Sequence, residues 1–428
     1  MTVPDTLYVV MGQQVAASIT RKRGKLDLAY DPAYSRAATP LSVSMPVTGE
    51  RYGHAVVAPW LDGLLPDSEP VRRQWGRRFS VSAGSPFALL STPIGEECAG
   101  AARFVTAERL EPMLAGKGNV QWLNDAQVAT RLRELRDDAT TWLGNEFTGR
   151  FSLAGAQAKT ALLYDEEGDR WGIPQGAAAT SHILKPAIVG FDEHDLNEHL
   201  CLRAAALSGL VAATSRVVRF EETSAIAVDR YDRTAGHPWL TRIHQEDLCQ
   251  ALGLPPESKY QNEGGPSSTD VTNLLRSVLP ADQAQAGVWR LFDALTFNWL
   301  IAGTDAHAKN YSLLLSGQQV ALAPLYDVAS ALPYKVSLRK LRMAMKFGGE
   351  YLLQARSDSM WGKVATELSL PLDEVRSRAL QLMAAVPLSF YVAAADPQVS
   401  ALGSDLPERL ADAVAERVDG YAKHLLGI

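Results

Sequence analysis

The sequence predicts a bilobal α+β fold, and three observations carry that expectation. Strand-type patterning dominates residues 6–48 and returns between about 151 and 240; one amphipathic helix pattern interrupts the second stretch; apolar-periodic, mainly helical sequence takes over from Gln245. In the first stretch TLYVVMGQQVAASITRKRGKLDLAYD alternates apolar and polar residues, with Lys22-Arg23-Gly24-Lys25 as a turn. Pro-, Gly- and Arg-rich sequence runs from Pro59 to Arg78, and RFVTAERLEPM closes a small domain near residue 115. The polar stretch from Asn124 to Trp142 makes a linker or first helix. FSLAG, KTALLYD, HILKPAIVG and VVRFEETSAIAVDRYDR read as β-type, and DLNEHLCLRAAALSGL is the helix among them, with apolar residues three and four apart. Helical periodicity recurs at 287–302, 359–387 and 405–426. The expected parts are an N-terminal α+β subdomain over 1–115, a strand-rich lobe over 116–240 and a helical lobe over 241–428, with a cleft between the two lobes.

Composition narrows the function classes. At 46% hydrophobic and 21% charged, the 428 residues have the make-up of an ordinary globular protein. A net charge of −6 argues against wholesale nucleic-acid binding, which needs surplus Lys and Arg to displace counterions. No apolar run approaches the ~20 residues that span a bilayer. MTVPDTLYVVMGQQ lacks a basic region followed by an apolar one, so a cytoplasmic protein without a membrane partner is expected. Cys98, Cys201 and Cys249 form neither a disulfide framework nor a zinc spacing. His194 and His199 stand five apart, which does not share a helix face as the i, i+4 pair of zinc proteases does. Two basic runs, 71–78 and 335–346, read either as solvated faces or as attractors for an acidic partner.

The most informative segment is FNWLIAGTDAHAKNYSLLL, residues 297–315. A buried helix ends near Gly303, a polar cluster follows, and an apolar strand comes after it, so the polar groups are presented from a loop anchored on both sides. Asp305 and Asn310 stand five apart, the spacing of a kinase catalytic loop in which Asp accepts a hydroxyl proton and Asn holds a metal. LLLSGQQVALA reads as a hairpin turning at Ser316-Gly317, which returns the chain so that Asp327, closing another apolar strand, chelates the metal beside Asn310. Lys309 is a candidate for neutralising charge on a transferred phosphoryl group, and His307 for orienting the loop. Upstream, Lys185 is the single lysine of an apolar strand and needs an anionic partner, such as ATP phosphates or Glu198 of the next helix. GRFSLAGAQAKTALL is a candidate phosphate loop whose small residues let backbone N–H groups approach an anion, with Lys159 as its cation; it is not a Walker A motif.

Taken in order, GAQAKT, HILKP, NEH, VDRYDR, QEDLCQALG, KYQNEGGP, TDAHAKN and PLYDV resemble the HipA-type serine/threonine kinase toxins of bacterial toxin–antitoxin modules. The resemblance spans nearly the whole chain. It implies a protein-kinase-like bilobal fold with an extra N-terminal subdomain, and use of ATP and Mg2+. It also implies a protein substrate in translation such as an aminoacyl-tRNA synthetase, and a helix-turn-helix, HipB-like antitoxin that carries the contact with DNA. Position by position, it makes Asp305 the catalytic aspartate and Asn310 with Asp327 the metal ligands. Ala154, Gly155, Ala156, Gln157, Ala158 and Lys159 become the nucleotide loop, and Lys185 the ATP lysine. His307 and Tyr326 fall on the nucleotide side, and Asp229, Arg230 and Tyr231 form the adenine hinge, where some members have Glu-Arg-Phe. Ser152 matches an autophosphorylated serine; added charge on that loop would repel nucleotide. The competing readings are a small-molecule kinase, against which the N-terminal domain and the GAQAKT loop argue, and a kinase-like scaffold bridging a DNA-bound antitoxin. The presence of Lys185, Asp305, Asn310 and Asp327 argues against the scaffold alone.

Overall fold

Alternation in the first 30 residues is realised as three antiparallel strands, Thr6–Met11, Gln14–Lys22 and Lys25–Tyr30. Arg23 and Gly24 make the expected turn in the left-handed region, at φ 49° and 78°. The computed structural model describes residues 3–426 apart from 142–150, 156, 189, 335–336 and 355–358. Within these the chain forms two units, each assembled from three stretches. The first takes residues up to 189, then 218–257 and 312–320; the second takes 190–217, 258–311 and 321 onward.

In the first unit the three strands, flanked by Arg51–Gly53 and Arg103–Val105, make a five-stranded sheet. The Pro- and Arg-rich stretch does not stay irregular: it forms helices His54–Gly63 and Glu69–Phe79. Pro70 lies in the first turn, where its missing N–H costs nothing. Pro59 sits inside its helix, and burial of Val57, Trp60 and Leu61 outweighs the lost hydrogen bond. The basic run 71–78 is therefore the polar side of a helix whose Val71 and Trp75 are buried. A second sheet of six strands runs in the order Ser215–Phe220, Thr223–Asp229, His182–Lys185, Thr160–Asp165, Arg170–Gly176, Gly118–Leu123. FSLAG is not one of its strands. Its backbone groups go to isolated bridges with Cys98 and Pro66, so no neighbouring strand forms a ladder with it.

The second unit is built on helices His194–Leu207, Ser268–Val278, Ala281–Leu300, Met360–Leu368, Leu372–Ala394 and Leu406–Leu426. Its core centres on Trp299, whose ring lies 5.1 Å from Phe347, 5.9 Å from Trp361 and 4.2 Å from Tyr421, centroid to centroid. Strand structure persists beyond Gln245 more than the periodicity suggests. In the first unit His244–Asp247 pairs with Ser312–Ser316, which runs into the expected hairpin with Gln319–Leu322, and in the second Arg342–Phe347 pairs with Glu350–Leu352. The second basic run is thus divided between a short helical turn, Leu338–Lys340, and the strand Arg342–Phe347, which buries Met343, Ala344, Met345 and Phe347.

A buried ionic cluster holds the first unit together. Glu97 takes guanidiniums from Arg230 (3.0 Å), Arg233 (2.9 Å) and Arg242, while Asp232 takes Arg230 (2.8 Å) and Arg233 (2.9 Å). Burial alone would raise the Glu97 carboxyl; Arg242, Arg233 and Arg230 together reverse this and hold it well below the ordinary carboxylate range. Arg230→Met leaves two buried carboxylates short of a partner and is expected to cost about 3–5 kcal/mol, read from urea denaturation.

Glu246 is the opposite case. It is buried, and its Oε1 accepts from the Val43 N–H at 2.8 Å. Burial pushes its carboxyl up to about 8, against hydrogen bonds from Ser42 and Val43 that pull it down. Its folded-state pKa lies above the unfolded one, so its contribution is full below about pH 4.5 and is lost as pH rises to about 8. Glu246→Gln should remove that loss: the variant gains stability over the parent progressively from pH 5 to pH 8 in urea melts at stepped pH.

Candidate functional site

The polar loop of the second unit is fixed by its own backbone. Helix Ala281–Leu300 closes with the Gly303 N–H donating to the Asn298 carbonyl at 2.7 Å, after Ala302 turns through φ 55°. At Gly303 a Cβ would lie 2.4 Å from Asn298 Oδ1, so a side chain there would require the Asn298 amide to shift. The Asp305 carbonyl then accepts two hydrogen bonds, from the His307 N–H and from Asn310 Nδ2, both at 2.8 Å. Because the Asn310 nitrogen is committed to that carbonyl, its Oδ1 is the atom left as an acceptor, the orientation a hard cation needs. The Asp305 side chain is exposed, and its Oδ1 accepts the Tyr260 hydroxyl at 2.7 Å. Lys309 and His307 are buried rather than solvated.

Asp327 lies in a segment pinned to this loop before and after it. The Tyr326 hydroxyl donates to the Lys309 carbonyl at 2.7 Å, the Ser330 hydroxyl to the Ile301 carbonyl at 2.6 Å, and the Ala331 N–H to the Ala302 carbonyl at 3.1 Å. Asp327 does not close a strand, as the sequence suggests. The ladder stops at Leu322 ahead of Pro324, and Asp327 itself is in the left-handed region at φ 53°, a conformation aspartate tolerates. A second clamp comes from helix His194–Leu207, where Asn197 Nδ2 donates to the Ser330 carbonyl (2.8 Å) and Asn197 Oδ1 accepts from the Ser330 N–H (3.1 Å). Glu198, one residue on, is buried and is no surface charge.

In the first unit, Lys185 is buried at the end of strand His182–Lys185, between its neighbours Thr160–Asp165 and Thr223–Asp229. The loop beside it curls around its own cation: Lys159 Nζ donates to the Ala154 carbonyl at 2.7 Å. Gly155 turns through φ 107°, and a Cβ there would sit 2.8 Å from Lys159 Nζ. Gln157 lies in a bend and Ala158 outside regular structure, while Ala156 lies outside the described residues. The loop is stapled to the N-terminal part of the unit. The Ser152 hydroxyl donates to the Leu64 carbonyl (2.8 Å), its N–H to the Glu97 carbonyl (2.7 Å), and the Asp67 N–H to the Gly155 carbonyl (3.0 Å). Ser152 is fully buried there. At the expected hinge, Asp229 pairs with His182 (3.0 Å), and the Tyr231 hydroxyl donates to Gln245. Arg230 spends its N–H on the Ser181 carbonyl (2.8 Å) and its guanidinium on the buried cluster, so it shapes the segment from inside.

Taken unit by unit, the side chains have the chemistry such groups need: in the second unit Asp327 and Asn310 carry the carboxylate and amide oxygens that a hard divalent cation takes, and in the first a small-residue loop and buried lysines at 159 and 185 are of the kind that suit phosphates. Sequence reasoning missed Tyr260, Asn197, Glu97, Arg233 and Arg242 as residues that shape these parts. KYQNEGGP and NEH hold the first two, but a motif does not say which distant atom a hydroxyl or amide will meet.

Comparisons with known proteins agree along the chain. One family model, described as HipA N-terminal domain, matches residues 7–105; another, described as HipA-like C-terminal domain, matches residues 151–389. The chain is 35% identical over 379 residues to Y4mE of Sinorhizobium fredii, covering 87% of each. It is 28% identical over 338 residues to the serine/threonine-protein kinase toxin HipA of Shewanella oneidensis, covering 74% of this chain and 72% of that one. The solved toxin–antitoxin complex of Shewanella oneidensis HipA, HipB and operator DNA has a chain of similar fold, with a TM-score of 0.82, 22% identity and 99% coverage of both chains. Among the described residues no helix is long and apolar enough to cross a membrane.

The Asn197 clamp yields a direct test. Asn197→Ala strips partners from both the N–H and the C=O of buried Ser330 and is expected to lower stability by about 2–4 kcal/mol, measured by chemical denaturation.

Proposed function

The chain belongs to the HipA family, and on that premise we propose that it is an ATP- and Mg2+-dependent serine/threonine protein kinase, the toxin of a toxin–antitoxin pair. The observation that carries this reading is the Asp305–Asn310 loop with the Asp327 segment hydrogen-bonded alongside it. In this reading Asp305 accepts the proton of a serine hydroxyl as that oxygen attacks, which is the work of a general base within hydrogen-bond reach. Asn310 and Asp327 hold the cation through oxygen atoms, and Lys309 offsets charge close to the reacting group. Residues 154–159 and Lys185 take the phosphates, His307 and Tyr326 shape the nucleotide side, and Asp229 to Tyr231 take adenine chiefly through backbone. When bound, Mg-ATP supplies the phosphoryl group and neutralises its oxygens.

The finer parts of the proposal are the target, the switch and the partner. The target is a protein of translation such as an aminoacyl-tRNA synthetase, reached in the cytoplasm. Ser152 is an autophosphorylation site: its buried seat against Leu64 must open for modification, and a phosphate would then bar return, leaving the loop outside its nucleotide-binding shape. The partner is a HipB-like helix-turn-helix antitoxin, supported by the composition of the Shewanella complex, with DNA contact mainly through it.

The experiment is incubation of purified protein with labelled ATP, Mg2+ and host lysate, followed by identification of labelled proteins. Label in small alcohols instead of protein would give a small-molecule kinase. Asp305→Asn should fall at least about 100-fold in phosphate transfer with an unchanged thermal melt; full activity in that variant removes the assignment. Ser152→Ala should keep ATP binding, by calorimetry, and lose phosphoserine at that position, by mass spectrometry.

A further inference from the structure

Asp305 is held at three points, and only two of them belong to its own loop. The His307 N–H and Asn310 Nδ2 fix its backbone carbonyl; the third contact is the Tyr260 hydroxyl on carboxylate Oδ1, from 45 residues earlier in the chain. We propose that Tyr260 is a positioning residue for Asp305: its hydroxyl occupies Oδ1 and so turns Oδ2 toward the hydroxyl to be deprotonated. The inference rests on the reading of Asp305 as the base and adds what aims it.

The surroundings of Tyr260 are constructed to keep it there. Its ring meets the His307 ring edge to face, with centroids 5.0 Å apart and planes at 82°. The Tyr260 carbonyl accepts from the N–H groups of Glu263 and Gly265, both at 2.9 Å, which closes the chain into a tight loop. Gly265 has no room for a side chain, because a Cβ would lie 2.5 Å from the Ser258 carbonyl and 2.7 Å from that of Tyr260. The next residue anchors the loop: Gln261 Oε1 accepts the Lys346 N–H at 2.7 Å. The strand that carries Lys346 is itself bound to the catalytic loop, where the Ala344 N–H donates to the Thr304 carbonyl at 3.0 Å. Tyr260 and Asp305 thus hang from one hydrogen-bonded ring of backbone. A freely rotating aspartate spends much of its time with neither oxygen on the substrate; a hydroxyl bonded to one oxygen removes that freedom.

The test uses the full chain with ATP and Mg2+, reading phosphate release to water as kcat and KM for ATP, in Tyr260→Phe, Tyr260→Ala and Asp305→Asn. Phenylalanine keeps the ring against His307 and deletes only the hydroxyl. We expect Tyr260→Phe to lose roughly tenfold in kcat, with KM for ATP and the thermal melt unchanged, and Tyr260→Ala to lose at least as much. Full kcat in Tyr260→Phe with a loss confined to Tyr260→Ala overturns the proposal in favour of ring packing alone. A rise in kcat overturns it in favour of a contact that restrains the base. A fall in kcat with a matching rise in KM or a lowered melt also overturns it, as a general structural defect. If Asp305→Asn keeps parental turnover, the reading of the base itself fails; loss in Asp305→Asn beside an unaffected Tyr260→Phe sinks only the role of Tyr260.

Discussion

Charge removed from water must be paired, and in the first unit that requirement falls on Glu97. Its carboxylate gathers Arg230, Arg233 and Arg242, so the segment from 230 to 242 cannot move away from the N-terminal subdomain without exposing buried charge. Its carbonyl, on the other side of the same residue, accepts the Ser152 N–H. The candidate nucleotide loop and the candidate hinge therefore depend on one buried acid. Asp232 and the Cys98 carbonyl complete the set of acceptors for Arg230. Such a cluster contributes less net stability than hydrophobic packing of similar volume, but it tolerates very few alternative arrangements.

The second unit solves a different problem. On the proposed reading, a general base and metal-binding oxygens must be reachable and yet held still, which side-chain packing cannot do for groups in solvent. Hydrogen bonds to backbone carbonyls take over. The Asp305 carbonyl receives two donors, the Thr304 carbonyl one from Ala344, and the Asp327 segment is tied through Tyr326, Ser330 and Ala331. A rigid apolar element precedes the loop, the helix that carries Phe297 and Trp299.

What was legible in the sequence follows how local each feature is. The hairpin after the loop, the helix around Glu198 and the turn at Arg23-Gly24 all depend on neighbours within a few residues, and the structure contains each of them. The helices across Pro59 and Pro70 were hidden because local propensity points away from them, and only burial of Val57, Trp60, Val71 and Trp75 tips the balance. FSLAG has strand composition but no strand beside it, and the basic stretch before Phe347 has the charge of a helix face but buries its methionines in a strand pair.

By itself, then, the sequence determined the identity and order of the chemical groups: which carboxylates, amides and lysines exist, how far apart they stand in a loop, and which family's motif order they follow. Tertiary structure decided which of them meet. Asn197 reaches Ser330 across 133 positions, and Tyr260 reaches Asp305 across 45. The physical reason is that a hydrogen bond is a matter of ångströms and angles, while sequence periodicity registers only neighbours a turn or a strand pair away. Contacts closed by the whole chain leave no local pattern to read.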